Sequence, residues 1–204
     1  MPETILNDVL DNLESIPLPF DRSLQQITGR DNCILLEYEK LHGNLVDIIN
    51  QSTPYAIVLM MDNRRPNSRV GHYIALMLKD HELTVWDSYA TGIAKLLRMT
   101  QNKPTLLDMI ARSPYDMVEN EEQLQELAQG ISTCGRHAAL RVLFGHALTN
   151  KQYASMMHSV DGLNPDELCT LMSFLWHGRD GAFTGEKLIR QVGGFMRKNN
   201  STLL

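Results

Sequence analysis

Two strand-like runs, Val70 to Leu78 and Leu83 to Tyr89, flank the polar tetrad Lys79-Asp80-His81-Glu82. Runs of strand formers separated by so short a polar turn read as a β-hairpin. An antiparallel pair in mid-chain restricts the fold more than any other feature of the sequence. A third run of strand formers, Tyr55 to Met61, precedes the hairpin, and Asp62 to Ser68 between them is a polar loop. Helical patterns lie on both sides. Helices, a few strands, then helices define an α+β chain with a small central sheet flanked by helices. They do not give the regular alternation of a parallel α/β fold.

In the first flank, Ile5, Leu6, Val9, Leu10, Leu13 and Ile16 recur at helical spacing, and Pro17 and Pro19 end the segment. Residues 1–16 are therefore expected to hold an amphipathic helix. Residues 20–32 read as loop, and 33–50 as one or two helices interrupted at Gly43. Beyond the hairpin, 93–99 and 105–111 read as helices, and Glu119 to Ala128 as a solvated one. Ala138 to Leu148 is apolar nearly all round, the pattern of a buried helix. Asn150 to His158 is a further short helix. Asn164-Pro165-Asp166-Glu167 is a helix start, with Asn as N-cap, Pro in the first turn and two acids at the positive end of the dipole. That helix should run to about Trp176. Residues 186–204 read as a mobile tail, and 204 residues fit one domain, 1–204.

Composition narrows the function. Hydrophobic residues at 43% and charged residues at 21% are ordinary globular usage, so a disordered or fibrous chain is excluded. A net charge of −5 gives no global attraction for nucleic acid, although Arg64, Arg65 and Arg69 form a local basic group. No apolar run is long enough to span a bilayer, and no secretory leader is visible. Three scattered cysteines, Cys33, Cys134 and Cys169, form no disulfide framework and point to a reducing compartment. No pair has zinc spacing; Cys134 and His137 resemble half a metal site, but Cys169 and His177 do not complete one. Neither a metal nor a cofactor is expected.

The hairpin turn sets a register. If Leu78 pairs with Leu83, then His72 faces Tyr89, and His72 and Asp87 share a face as diagonal neighbours, with Cα atoms roughly 7–8 Å apart. An imidazole and a carboxylate can hydrogen-bond across that gap, and the same two residues would equally serve as an ordinary cross-strand pair. A one-residue slip would separate them onto opposite faces.

The second chemical feature is Gly130-Ile131-Ser132-Thr133-Cys134-Gly135-Arg136-His137, where small and polar residues lead straight into an apolar helix. A helix N-terminus favours a thiolate over a thiol, and its free N–H groups can hold an oxyanion. Position alone fits a small core residue as well as a nucleophile. A thiolate nucleophile needs a base and the base an orienter, roles that His72 and Asp87 can fill. Gln129, five residues before Cys134, can donate to the oxyanion. Gly135 would leave substrate room beside the sulfur. His137 lies on the nucleophile's own helix and is poorly placed to act as base.

The order Gly71-His72-Tyr73, Trp86-Asp87-Ser88, Gln129, Cys134-Gly135 resembles the adenovirus-protease and SUMO-protease group of cysteine peptidases. Papain-like enzymes, transglutaminases and arylamine acetyltransferases place Cys before His. Within the group, Thr133 to His137, with Gln152-Tyr153 and Pro165 to Leu168 downstream, is similar to capsid-maturation proteases of virophages and Maverick-type elements. The resemblance implies Cys134 as nucleophile, His72 as base and Asp87 as its orienter, with Gln129 and the Cys134 N–H as the oxyanion hole. It implies substrate contacts at Gly135 and Tyr73, the latter standing where the group usually has Trp. The group's Gln usually lies six or seven residues before its Cys, so Gln125 is a second, poorer candidate. Cleavage of capsid or virion precursors after small residues such as Gly is implied, in the virion and the host-cell cytoplasm. The group's peptide activator remains open for this chain, whereas its acidity argues against a DNA activator. Competing readings are a ubiquitin- or SUMO-like isopeptidase, an acyltransferase on the same scaffold, and a non-enzymatic capsid-binding module. The Gly193-Gly194 pair near the C-terminus is the type of sequence this group cleaves.

Overall fold

The structure, a computed structural model, describes residues 22–64, 71–127 and 131–177. The expected N-terminal helix, the C-terminal tail with Gly193-Gly194, Arg65 and Arg69, and Gln129 lie outside them. The described residues form an α+β fold around a five-stranded mixed sheet of order β1-β2-β3-β4-β5. The strands are β1 (Cys33–Glu37), β2 (Tyr55–Met61), β3 (Gly71–Lys79), β4 (Glu82–Asp87) and β5 (Asp116–Glu119). The helices are α1 (Arg22–Thr28), α2 (Leu45–Ile48), α3 (Ile93–Thr100), α4 (Thr105–Ala111), α5 (Cys134–Phe144), α6 (Asn150–Met157) and α7 (Pro165–His177).

The central strands β2, β3 and β4 are antiparallel, and the outer pairs β1–β2 and β4–β5 are parallel. Parallel neighbours need a crossover. One is made by residues 38–54 with α2, the other by α3 and α4. Both sheet faces are covered, so β2 and β3 are buried nearly throughout and read as continuous apolar runs. Tyr55, Ile57, Tyr73, Ala75, Met77 and Trp86 join the core made with α1, α5, α6 and α7. Their alternates Ala56, Val58, Ile74, Leu76, Leu83 and Val85 join the core with α3 and α4. This is the two-residue period of a strand applied to two cores. Each fully buried Leu, Ile or Val contributes about 1.5–3 kcal/mol.

The hairpin pairs Leu78 with Leu83 and Ile74 with Asp87, the register its turn predicted. Three segments differ from the sequence reading. Cys33–Glu37 is a strand, not the start of a helix; five mostly apolar residues fit either state, and pairing with β2 decides. Arg22–Thr28 is a helix, not a loop. It is too short to show a period, yet it buries Leu24 and Ile27 against the main core. The expected helix over 119–128 is absent: Asp116–Glu119 pairs with β4 as an exposed edge strand, and 120–127 is irregular. At that edge Asp116, Met117 and Val118 are exposed, so no buried apolar pattern marks the strand.

All eleven residues of α5 are buried. Its N-terminal turn lies close to β3, because a Cβ on Gly135 would stand 3.3 Å from two Tyr73 ring atoms. At its other end, Arg30 donates to Val142 O at 2.7 Å and Leu143 O at 3.0 Å while its guanidinium lies over the Tyr55 ring. A cation at the C-terminal carbonyls complements the helix dipole. Arg141, also buried, donates to Gly145 O at 2.6 Å and to Asn150 Oδ1 at 2.9 Å. The helix is thereby located at both ends, which fixes where Cys134 begins it. No helix among the described residues is long and apolar enough to cross a membrane.

Candidate active site

The open end of the hairpin, away from its turn, carries His72 near the start of β3 and Asp87 at the end of β4. His72 Nε2 lies 2.6 Å from Asp87 Oδ1, and the residues are 7% and 4% exposed. A cross-strand diagonal thus closes into a buried, charge-assisted contact. With Nε2 engaged, Nδ1 is the ring nitrogen left free to serve Cys134, which lies close enough to this imidazole to raise its pKa. Cys134 comes from the first position of α5, on the other side of the sheet's end.

The carboxylate is held from below as well. Asp87 Oδ1 accepts from the Tyr89 N–H and Oδ2 from the Thr91 N–H, both at 3.0 Å. An acid closing a strand can bond the N–H groups of the turn that follows, and here that turn passes through Ala90 at φ +48°. Asn120, just past β5, continues the β4–β5 ladder with its side chain. Its Oδ1 accepts from Asp87 N at 2.8 Å, and its Nδ2 donates to Asp87 O at 2.7 Å.

Burial opposes a charge on His72, but the hydrogen bonds and charges of Asp87 and Cys134 more than offset it, and its pKa is raised to about 10. Burial likewise opposes the Asp87 charge, and the His72 contact with the Tyr89 and Thr91 amides prevails, lowering its pKa. The Tyr89 ring stacks on the imidazole with centroids 4.6 Å apart. Burial, reinforced by Cys134, Asp87 and Asp166, pushes the Tyr89 phenol up. Cys33 is raised to about 12 by burial, partly countered by Arg30, so it is a thiol at neutral pH.

Of the residues singled out in the sequence, Cys134, His72 and Asp87 come together. Gly135 and Tyr73 stand beside them, with the Gly135 Cα turned toward the Tyr73 ring and Leu24, in close packing instead of open space. Gln125 does face this region. Its Oε1 accepts from Ser88 Oγ at 2.8 Å, and its backbone N–H, like that of Leu124, donates to Ser88 O. Its buried Nε2 lies beside the Tyr89 hydroxyl without a well-formed hydrogen bond among the described residues. His137 does not turn to Cys134; its Nε2 contacts Asp166 Oδ1 at 3.0 Å. Arg64 is occupied by Asp62, with contacts of 2.8 and 2.7 Å. Among the described residues no three His, Cys, Asp or Glu side chains converge as a metal site requires.

Tyr89, Asn120 and Asp166 were not marked as site residues by the sequence. Tyr89 had a signal, since the hairpin register sets it opposite His72. Asp166 is legible only as a helix-starting acid, and Asn120 has no local signal. No family model matches the chain. It is similar to uncharacterized protein V9 of Sputnik virophage, at 26% identity over 151 residues, covering 68% of this chain and 81% of that protein. The chain is thus related to a virophage protein, a relation that carries no activity with it.

Proposed function

We propose that the chain is a cysteine peptidase with Cys134 as nucleophile, His72 as general base and acid, and Asp87 as the group that orients the histidine. The observation that carries this reading is the buried His72–Asp87 contact of 2.6 Å, with Cys134, at the start of α5, near enough to influence the same imidazole. His72 takes the thiol proton, and the thiolate adds to the scissile carbonyl carbon. The negative charge on the resulting oxygen meets the N–H groups at the start of α5, which have no acceptor within the helix. Gln125 Nε2, a buried donor beside Tyr89, supplies a side-chain donor. His72 then gives its proton to the leaving nitrogen as the C–N bond breaks. A water, losing a proton to His72, hydrolyses the thioester and frees the sulfur.

The substrate proposed is a capsid or virion precursor cut after a small residue such as Gly. The motif order supports that choice, and the virophage relative supports the viral setting alone. The test is a peptide vinyl sulfone ending in Gly-Gly, applied to the reduced chain and read by peptide mass mapping. Label on Cys134, with none on Cys33 or Cys169 and none in Cys134→Ala, is expected. Processing of a capsid precursor by purified Cys134→Ala at the wild-type rate would sink the assignment.

A further inference from the structure

A fully buried carboxylate outside the triad collects three segments of the chain. Asp166, the second residue of α7, is 0% exposed. Its Oδ1 accepts from Thr133 Oγ1 and contacts His137 Nε2 at 3.0 Å, and its Oδ2 accepts from the Glu126 N–H at 2.8 Å. An acid in the first turn of a helix ordinarily serves that helix's own N–H groups. In α7 that work is done by its neighbours. Asn164 Oδ1 accepts from the Glu167 N–H at 2.9 Å, and Glu167 Oε2 accepts from the Asn164 N–H at 2.6 Å. This reciprocal capping box leaves Asp166 to turn away from its own helix.

The three donors adjoin, along the chain, the groups of the proposed oxyanion pocket. The Glu126 N–H belongs to the peptide unit that follows Gln125. The Leu124 and Gln125 N–H groups are held from the other side by Ser88 O, at 2.9 and 3.0 Å. Thr133 precedes Cys134, so its hydroxyl fixes the residue whose carbonyl is joined to the Cys134 N–H. His137 lies about one turn further along α5. We propose that Asp166 is a positioning residue whose carboxylate sets the separation between the Gln125 amide and the Cys134 N–H. The proposal rests on the peptidase reading above. Oxyanion donors act only when they are aimed before charge develops, so a small widening of the pocket costs rate without weakening substrate binding.

The experiment uses the full chain as wild type, Asp166→Asn and Thr133→Val. For each, kcat and KM are measured on a Gly-Gly peptide amide, with the rate of Cys134 alkylation by iodoacetamide read by mass mapping. Alkylation is a displacement at carbon that forms no oxyanion, so it reports the thiolate and not the pocket. In Asp166→Asn, kcat should fall about 100-fold, with KM and the alkylation rate within about threefold of wild type. Thr133→Val, which removes one of the three donors, should lose about tenfold in kcat with the same split. A role confined to stability would lower cleavage and alkylation together, in proportion to the folded fraction, and that result overturns the proposal. So does a kcat in both variants within about threefold of wild type. If Asp166→Asn fails to fold, Thr133→Val alone decides, by the same two readouts. A wild type that is alkylated at Cys134 but cleaves no peptide overturns the peptidase reading itself, a different failure from active variants.

Discussion

Asn120→Ala isolates a side chain that meets the triad only through the backbone of Asp87, its other bond being to Glu122 O at 3.3 Å. Asn120 and Asp87 are 7% and 4% exposed, and two hydrogen bonds of 2.8 and 2.7 Å join them. Removing the amide leaves the buried Asp87 N–H without its partner, at about 1–3 kcal/mol, whereas Asp87 O keeps its bond from the Ala90 N–H at 2.9 Å. With a urea m-value of about 2 kcal/mol/M, that is a midpoint shift of about 0.5–1.5 M. The m-value should not change. Catalysis should respond less, because the carboxylate keeps its bonds from the Tyr89 and Thr91 amides at 3.0 Å and its contact with His72. A loss of less than about tenfold in kcat per folded molecule is expected, well short of the effect of removing a triad member. Asn120→Asp keeps the acceptor and sets a second oxygen against Asp87 O, so its loss of stability should be at least as large. A stability loss below about 0.5 kcal/mol in Asn120→Ala, the range of an ordinary surface change, would refute the claim that this side chain completes the ladder.

Asp87→Asn should reduce kcat by about 10³–10⁴-fold while sparing KM, since an amide favours the wrong imidazole tautomer; steady-state kinetics on a Gly-Gly peptide amide check it. The His72–Asp87 pair should also shape stability against pH. His72 is raised from 6.5 to about 10, so its contribution is whole below pH 6.5 and is lost as the pH climbs through 10. Asp87 is lowered from 3.8, so its contribution is whole above pH 3.8 and is lost as the pH falls below it. Urea midpoints should therefore show an advantage of wild type over Asp87→Asn that is greatest between pH 3.8 and 6.5. A difference independent of pH would contradict the coupling. Gly135→Ala gains about 1 kcal/mol of helix propensity but sets a methyl 3.3 Å from Tyr73, a contact that costs about 1–3 kcal/mol, so thermal unfolding should show a net loss of up to about 2 kcal/mol.

The elements most legible in the sequence were those whose pattern is local. The hairpin announced itself through two runs of strand formers and a polar turn, and its register followed from the turn, because a slip of one residue would expose a buried face. The start of α7 was legible because Asn164 and Glu167 cap it with their own side chains. The apolar run after Cys134 marked a buried helix, although not that Arg136, His137 and Arg141 are buried in it too. Cys33–Glu37 was misread and Asp116–Glu119 missed because an edge strand is defined by its neighbour, and β2 and β4 are far from them in the chain.

For the site, the sequence alone determined which residue types are present, in which order, and that His72 and Asp87 share a face. Only the tertiary structure decided that Cys134 meets them, since α5 and the hairpin belong to elements that packing alone brings together. The same holds for Asn120 on the Asp87 backbone and for Asp166 under Thr133, His137 and Glu126. A hydrogen bond between residues tens of positions apart leaves no period and no motif. It exists because two buried polar groups must each find a partner once the cores on either face of the sheet have closed.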